Sequence, residues 1–405
     1  MNRRIAVTGL GVVSSIGIGK DGFWNALIAG RSGISRISSL DTSDYPTHFG
    51  GEIKDFRAED FLDKARASEM GRASALAVAA AKLAVKDAGI ILGKIPPERI
   101  GLTLGTTMGE SQVLEKINYS WVREGMEAID PRSVIKCPCS TQPLNVAGEL
   151  GLEGPNYAIP NACAAGNFAI GYACDLLRMG KADLMLAGGT DAFSRIALIG
   201  FNRLLAVAPE KCQPFDKNRK GMMVGEGAGI VILEPLEAAL KRGARIYAEV
   251  AGYGLSCDAH HMTAPFNEGI KEAIEKALAD GNIATGDVDY FSAHGTGTPA
   301  NDREECLAIK KVFGGHYKKL AVSSIKSMLG HTMGAASAIE AVACALSVKH
   351  DMIPPTINFE TPDPECDIDC VPNTARKARV AIALNSASAF GGNNACVAFR
   401  KFPSE

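Results

Sequence analysis

One cysteine of this chain occupies a position that favours chemistry over packing. Cys163 lies in the stretch NYAIPNACAAGNFAIGYACDLLRMG, which runs from Asn156 to Gly180 and reads as a strand, a tight turn and a buried helix. We expect Cys163 at the first turn of that helix, where the helix dipole and free N–H groups would lower the pKa of its thiol. The same N–H groups could hold a developing oxyanion. The pattern predicts a nucleophile, although a cysteine can also serve as a small buried apolar residue.

Two histidines on glycine-rich loops could supply the proton transfers that such a nucleophile needs. His294 opens the sequence HGTGTP directly after a predicted strand, and His331 follows Lys326 in SSIKSMLGHTMGA, again after a strand. Loops held between rigid elements often carry catalytic side chains. A thiol that attacks an acyl carbon needs acid or base partners of this kind. Each histidine could instead be a hydrogen-bonded structural residue, so the residues alone leave both interpretations open.

The elements that must position these groups alternate between strands and helices. This alternation is typical of an α/β fold with a parallel sheet. Glycine turns that feed strands near Gly225 and Gly391 suggest that the chain contains two similar halves. Strands are predicted over residues 100–105, 182–187, 229–233, 248–252, 288–293, 320–323, 379–384 and 395–399.

Two local patterns predict how particular elements start and stop. Gly9 and Gly11 resemble the first half of a dinucleotide-binding fingerprint, but Ser14 occupies the third glycine position. We therefore predict a strand over residues 4–9, a turn at the glycines and no nucleotide. Asn301 and Glu304 have the spacing of a helix N-cap and its reciprocal carboxylate.

Composition indicates an ordinary globular chain. The 405 residues are 46% hydrophobic and 22% charged, and the net charge of −2 with a pI near 6.4 does not favour nucleic acid as a partner. No apolar run reaches the roughly 20 residues of a membrane helix, and the N-terminus reads as a strand and not as a signal peptide. Eleven cysteines without an export signal predict free thiols and a cytoplasmic location.

A structural zinc site is a weaker alternative use for some of these cysteines. It would have to combine a C-x-C pair, a C-x3-C pair and two adjacent histidines, and no C-x2-C pair is present. We therefore expect neither metal nor cofactor. The residues that such a site would use are Cys137, Cys139, Cys366, Cys370, His260 and His261.

Taken in order, the motifs resemble those of a known family. The sequences ACA at Cys163, HGTGTP at His294 and KSMLGHTMGAA at His331 are similar to those of elongating β-ketoacyl-acyl-carrier-protein synthases of type II. The resemblance covers about residues 4–399. It implies the thiolase fold, with two similar α/β halves in α-β-α-β-α layers, here residues 1–245 with the cysteine and 246–405 with the histidines. It also implies a homodimer that works with acyl carrier protein.

The resemblance further implies a role for each matched residue. Cys163 would carry the acyl group, while His294 and His331 would bind the malonyl thioester as it loses carbon dioxide, a decarboxylative condensation in fatty-acid synthesis. The backbone N–H groups of Cys163 and Phe390 would form the oxyanion hole. Further positions implied by the family are Lys326 and Glu340 as supports of the histidines, Met108 in the acyl pocket, and Lys64, Arg66 and Arg203 at the carrier-protein contact.

Departures from the family pattern keep a specialised homologue in view. The gate reads NSASAFGGNN, with Ser388 and Ala389 ahead of Phe390 where the family has a bulky or glycine residue and then glycine. The alternative is the ketosynthase subunit of a type II polyketide or polyene synthase with its own carrier protein, possibly paired with a sister subunit. A non-catalytic chain-length factor should have lost one of the three site residues. A thiolase should carry a second cysteine in C-x-G near the C-terminus, where this chain has Phe390-Gly-Gly392 instead. A serine hydrolase should show the motif G-x-S-x-G, which is absent from this sequence.

Overall fold

The computed structural model describes residues 3–403, and its first half contributes eight strands and nine helices to them. The strands are β1 (Ile5–Ser14), β2 (Gly17–Ile18), β3 (Ser35–Arg36), β4 (Phe49–Gly50), β5 (Ile100–Gly105), β6 (Asn156–Ile159), β7 (Leu184–Asp191) and β8 (Gly227–Pro235). The helices are α1 (Lys20–Ile28), α2 (Lys64–Glu69), α3 (Arg72–Ala88), α4 (Ser111–Glu124), α5 (Pro131–Val134), α6 (Thr141–Leu150), α7 (Ala165–Arg178), α8 (Arg195–Arg203) and α9 (Leu236–Lys241).

The second half of the described chain repeats the alternation with fewer elements. Its strands are β9 (Ala248–Cys257), β10 (Tyr290–Ser292), β11 (Ala321–Ser323), β12 (Met352–Ile353), β13 (Arg376–Lys377), β14 (Ile382–Ser388) and β15 (Asn393–Arg400). Its helices are α10 (Asn267–Asp280), α11 (Pro299–Phe313), α12 (Lys326–Leu329) and α13 (Ala336–His350).

The two halves place their strands in the same order. The large sheet runs β11-β10-β14-β15-β9-β1-β8-β7-β5-β6, so that β9 and β1 meet in the middle. Counted along the chain, each half has the strand order 1-5-4-2-3 from the centre outwards. In both halves the two outer pairings are parallel and the two inner ones antiparallel. The predicted two-half α/β fold is confirmed, and the sheet contains the predicted parallel pairings together with antiparallel ones near its centre.

Helices α7 and α13 form the layer between the two halves. Helix α13 is buried from Ala336 to Val348, which explains why it is rich in alanine and apolar on all sides. Outside this layer, α3 packs on β1 and β8, while α10 packs on β9 and β15. No helix within residues 3–403 combines the length and apolar character that a bilayer crossing requires.

The predicted turn at Gly9 and Gly11 is wrong, because β1 continues through both residues. A Cβ at Gly9 would lie 2.5 Å from the carbonyl oxygen of Ala84, and one at Gly11 would lie 1.9 Å from that of Ala80. The glycines therefore let the backbone of α3 approach the strand closely, a packing role and not a turn.

Helix α11 also begins differently from the prediction. Its N-cap is Thr298 and Pro299 is its first residue, so Asn301 and Glu304 do not form a capping pair. The Glu304 carboxylate instead accepts a 2.6 Å hydrogen bond from the side chain of Asn267. Proline is favoured at the first helical position because its missing N–H would be unpaired there anyway.

Candidate active site

The structure brings the three predicted reactive side chains together. Cys163 Sγ and ring nitrogens of His294 and His331 all lie within 4.8 Å of one another, and all three residues are buried. Cys163 lies in a 3-10 turn, Ala162–Ala164, immediately before α7. His294 follows β10 and His331 follows α12, so two loops of the second half face the cysteine of the first.

Small residues allow the cysteine turn to contact the second half directly. A Cβ at Gly166 would lie 2.6 Å from the backbone nitrogen of Ala338 on α13. The Ser337 hydroxyl donates to the Cys163 carbonyl at 3.2 Å and accepts from the Asn167 N–H at 3.1 Å. This serine on α13 therefore holds the nucleophile turn at a set distance from the histidine loops.

Two buried carboxylates that the sequence analysis missed hold the His294 loop. Glu305 accepts hydrogen bonds from the backbone N–H groups of His294 at 2.7 Å and Gly295 at 2.8 Å. Asp302, one helical turn earlier on α11, accepts from the N–H groups of Phe215 and Gly297. The available signal was their spacing of three residues just after the loop, which places both on the same helix face.

Lys326 and Glu340, which the family resemblance implies as supports of the histidines, form a buried ion pair in the structure. Lys326 Nζ lies 2.5 Å from Glu340 Oε1, and both side chains are almost fully buried. Burial raises the pKa of Glu340 to about 7, against the favourable charge and hydrogen bond of Lys326. The other carboxylate oxygen of Glu340 has no hydrogen-bond partner within residues 3–403, so Glu340 interacts with polar groups through one oxygen only.

Burial decides the protonation of the reactive groups. It lowers the pKa of His294 and of His331 well below the ordinary value, with the positive Lys326 adding to the effect. It also raises the pKa of Cys163 to about 12, and Lys326 offsets this only in part. The predicted lowering of the thiol pKa is wrong because loss of hydration outweighs the helix terminus. At neutral pH the site therefore holds a thiol and two neutral imidazoles.

Hydrogen bonding distinguishes the two imidazoles. His331 Nδ1 accepts the N–H of Met333 at 3.2 Å, so the neutral ring carries its proton on Nε2 and offers a donor there. His294 Nδ1 is buried and has no hydrogen-bond partner within the described residues. His331 can therefore donate to a substrate oxygen, whereas His294 keeps a nitrogen available for proton transfer.

A cavity of about 330 Å³ contains the three reactive side chains. Phe390 lies at its wall, 37% exposed, with its ring centroid 5.7 Å from that of Phe201. The Phe390 N–H has no hydrogen-bond partner within residues 3–403, and neither does the buried hydroxyl of Ser388. Other residues of the wall are Leu204, Leu205, Met222, Asp258, His261, Met262, Thr296, Ala389 and Asn394.

The remaining predicted positions lie away from this cavity or at its rim. Met108 does not line it, and its N–H donates to Asp191 at 3.0 Å. On α2, Arg66 pairs with Glu69 at 2.6 Å, and neither Arg66 nor Lys64 lines the cavity. Arg203 is exposed at the end of α8, directly before two residues of the cavity wall.

The residues of the weaker zinc alternative do not gather into a site. Among residues 3–403, the only cluster of three or more potential metal ligands is Cys163 with His294 and His331. All eleven cysteines are free, as predicted. A cysteine whose pKa is raised is a poor metal ligand until it is deprotonated.

Comparisons with known proteins identify similar sequences that cover both halves of the chain. Residues 2–239 match the N-terminal domain model of β-ketoacyl synthase and residues 247–360 match the C-terminal one. A 3-oxoacyl-[acyl-carrier-protein] synthase 2 of Synechocystis is 42% identical, and the alignment covers 99% of this chain and 98% of that protein.

Solved structures give the same result. A chain of the ishigamide ketosynthase/chain length factor is 44% identical with a TM-score of 0.97, covering 100% of both chains. A chain from a type II polyketide synthase acyl-carrier protein in complex with its ketosynthase is 32% identical, with a TM-score of 0.92 over 99% of this chain and 100% of that one. The model matches, the full-length identity and the shared thiolase fold together establish that this chain belongs to the β-ketoacyl synthase family.

Proposed function

We propose that this protein is a β-ketoacyl-acyl-carrier-protein synthase that joins an acyl group held on Cys163 to the two-carbon unit left when malonyl-acyl carrier protein loses carbon dioxide. The observation that carries the proposal is the buried cluster of one thiol and two neutral imidazoles in a single cavity. Membership of the family supplies the reaction class, an acyl transfer followed by a carbon–carbon bond.

In the first step the Cys163 sulfur attacks the thioester carbonyl carbon of the acyl group that the acyl carrier protein delivers. Because the thiol is protonated in the resting site, its proton must leave as the bond forms. His294 is our assignment for the base, since one of its nitrogens has no partner. The carrier thiolate departs with that proton, which leaves an acyl-cysteine and a neutral His294.

In the second step malonyl-acyl carrier protein enters the same cavity. Its C–COO⁻ bond breaks, and the electron pair moves towards the thioester oxygen as an enolate. The Nε2–H of His331 and the neutral ring of His294 stabilise that oxygen. Lys326 and Glu340 support the two rings from behind.

In the third step the enolate carbon attacks the acyl carbon on Cys163. The negative oxygen that forms lies against the backbone N–H groups of Cys163 and Phe390, and the Phe390 N–H is available because no other group takes it. Collapse of the intermediate expels Cys163 as a thiolate, which takes up a proton from solvent, and releases β-ketoacyl-acyl carrier protein.

Charge and exposure support a carrier-protein contact near the cavity mouth. Arg203 is exposed next to Leu204 and Leu205, which line the cavity, so it is our first choice for a contact with an acidic carrier. Lys64 and Arg66 on α2 are a second group, weakened by the pairing of Arg66 with Glu69. We propose that Met108 contacts the far end of the acyl group, outside the cavity that contains Cys163.

We further propose that the protein works as a homodimer. Strand β6 ends the sheet with exposed residues, whereas the opposite edge strand β11 is buried. An open edge beside apolar surface is suited to pairing with a second copy. Ten exposed large apolar side chains lie between residues 114 and 172: Leu114, Tyr119, Trp121, Val122, Met126, Val134, Ile135, Leu144, Tyr157 and Tyr172.

Two further assignments are part of the proposal. The division into residues 1–245 and 246–405 is supported by the repeated strand order on either side of it. A cytoplasmic location is supported by eleven unpaired cysteines.

A second candidate function is the ketosynthase subunit of a type II polyketide or polyene synthase. The 44% identity to a chain of the ishigamide ketosynthase/chain length factor favours it, as do the unusual residues before Phe390. In that case the exposed face would pair with a sister subunit instead of a second copy, and the carrier protein would be a dedicated one.

Acyl transfer can be tested by weighing the intact protein after incubation with medium-chain acyl-acyl carrier protein. We expect one added acyl group on the wild type and none on Cys163→Ala, with Cys257→Ala as a matched control that still gains the group. Addition of malonyl-acyl carrier protein should then release the mass as β-ketoacyl product. An acyl group that persists on Cys163→Ala would contradict the assignment, and a comparison of acyl lengths with and without a sister subunit separates the two candidate functions.

A further inference from the structure

A buried carboxylate close to the nucleophile has no part in the mechanism above. Asp191 is the last residue of β7 and has no exposed surface. Its negative charge is one of the influences that oppose ionisation of the Cys163 thiol. A buried charge is costly, so its position beside a reactive group calls for an explanation.

All four hydrogen bonds of Asp191 bridge two segments of the site. One oxygen accepts from the Thr106 hydroxyl at 2.8 Å and the Met108 N–H at 3.0 Å. The other accepts from the Thr107 N–H and the Gly334 N–H, each at 2.7 Å. Asp191 therefore joins the loop after β5, in the first half, to the turn after His331, in the second.

The two segments are in direct contact at this point. A Cβ at Gly334 would lie 2.6 Å from the backbone of Thr106 and Thr107, so only glycine fits there. Thr106 also accepts the N–H of Gly109 at 3.0 Å, which closes the loop on itself. Gly334 lies in the same turn as Met333, whose N–H determines the tautomer of His331.

The donors around Asp191 are matched to an ionised carboxylate. Its two oxygens accept four hydrogen bonds, and three of these come from backbone N–H groups that can only donate, so an amide in its place would leave at least one of these N–H groups without an acceptor. Burial raises its pKa to about 6 while these four bonds act in the opposite direction. At neutral pH the group is ionised and balanced by neutral donors alone.

We propose that Asp191 is a positioning residue for the condensation: its carboxylate holds the Met108 loop against the turn that follows His331, and so sets the acyl-binding loop and the enolate-stabilising imidazole relative to Cys163. The inference rests on the proposed function for its catalytic consequence. Its electrostatic consequence concerns only the free enzyme.

That electrostatic consequence separates Asp191 from a purely structural residue. The charged groups that act on the Cys163 thiol are Lys326, which favours the thiolate, and Asp191 and Glu340, which oppose it. Removing the Asp191 charge should therefore make the thiol ionise more readily while condensation becomes slower. Damage to the site alone would not increase the reactivity of the thiol.

The experiment compares Asp191→Asn with the wild type in two assays. We expect the condensation rate of the variant to fall by roughly tenfold or more, because charged hydrogen bonds to buried backbone are lost. The pH profile of Cys163 alkylation by iodoacetamide, followed at its own peptide by mass spectrometry, should shift to lower pH, with roughly threefold or more faster labelling at pH 8.

Two further variants keep the test decisive. Thr106→Val removes one bond to Asp191 but not its charge, so we expect slower condensation with an unchanged alkylation profile; it also replaces Asp191→Asn if that protein does not fold. Asp216→Asn is the matched control, since Asp216 is equally buried and accepts three backbone N–H groups but is not among the charged groups that act on the Cys163 thiol, and it should leave the alkylation profile unchanged.

Clear results would overturn the inference. Wild-type condensation by both Asp191→Asn and Thr106→Val would exclude the positioning role, and an unshifted or slower alkylation profile of Asp191→Asn would exclude the charge effect. If the wild type itself forms no acyl-Cys163 and no condensation product, the proposed function fails. The alkylation assay needs no substrate and still tests Asp191 in that event.

Discussion

The reactive side chains of this enzyme begin as neutral groups. A thiolate would have to exist in a cavity that strips away its water, and burial raises the pKa of Cys163 to about 12 instead. The same burial removes the charge from both histidines. A neutral imidazole can donate to an enolate oxygen or accept a proton from a thiol, so the absence of charge suits both half-reactions.

The two histidines should differ when each is removed. His331→Ala lacks the Nε2–H donor, so we expect decarboxylation of malonyl-acyl carrier protein to slow by roughly a hundredfold. Acyl transfer to Cys163 should remain within a few fold of the wild type, as seen by intact mass. His316→Ala, whose ring bonds the Val288 carbonyl away from the cavity, is the control. Equal loss of both steps in His331→Ala would mean that His331 is the base for the thiol.

At the scale of elements, the loops of the site are held by hydrogen bonds to carboxylates on neighbouring elements. Glu305 reaches from α11 to the His294 loop, and Asp191 reaches from β7 to the loop after β5. Burial raises the pKa of Glu305 to about 7, so the carboxylate that holds the His294 loop titrates near neutral pH. As the pH falls through that value, the carboxylate takes up a proton and loses acceptor capacity for the two N–H groups.

The pH dependence of condensation should show whether the reaction requires the ionised Glu305 carboxylate. Glu305 and Glu340 both have pKa values raised to about 7, so we expect the rate of the wild type to fall below that pH with a slope steeper than one proton. Glu305→Gln should be slower at pH 8 and should show a slope reduced by about one proton. Glu304→Gln, its neighbour on α11, should behave like the wild type. An identical slope in Glu305→Gln would show that another group controls the acid limb.

The contact between β1 and α3 gives a second prediction at this scale. Gly11→Ala would place a Cβ 1.9 Å from the Ala80 carbonyl, so we expect the free energy of unfolding to drop by roughly 1–3 kcal/mol or more. Gly22→Ala, on α1 with no heavy atom within 4 Å of the added Cβ, should be neutral or slightly stabilising. Chemical denaturation measures both, and a Gly11→Ala protein as stable as the wild type would mean that α3 can move away.

At the scale of the whole molecule, the sheet is closed at one edge and open at the other. The buried β11 needs no further partner, whereas β6 has exposed residues, and its exposed Tyr157 packs edge-on against the exposed Tyr172. The segment from residue 114 to 172 also contains Cys163. Association through this face would therefore stabilise the segment that leads into the nucleophile turn.

A single charge on that face should test the dimer. Val122 is 80% exposed on α4, and Val122→Glu would bury a carboxylate in the proposed interface, so we expect the sedimenting mass to fall from about twice 42.6 kDa to the mass of one chain. Ile91→Glu, at a site 62% exposed and outside the face, is the control and should leave the mass unchanged. A wild type that sediments as one chain, but as a larger species with a sister ketosynthase-like subunit, would favour the second candidate function.

Local patterns predicted Cys163 as a nucleophile and an alternation of strands and helices, whereas the roles of His294 and His331 and the thiolase fold came from family resemblance. Cys163 and His294 each follow a strand on a turn of small residues, whereas His331 follows α12, and this local geometry depends on neighbours in the chain. The Lys326 and Glu340 pair came from family resemblance, and the structure contains it. The direction of individual strands could not be read in this way, because the pairing partner of a strand lies far along the chain.

Only the folded structure determined the pKa values of the site and the hydrogen bonds that join the two halves. The pKa of Cys163 rises because the second half covers it, which no pattern around residue 163 records. Close packing of α3 on β1 explains Gly11, where the sequence predicted a turn, and the four donors around Asp191 come from two segments that are distant in the sequence. Burial and hydrogen bonding between distant segments are properties of the assembled layers, so these features depend on tertiary contacts that neighbouring residues do not specify.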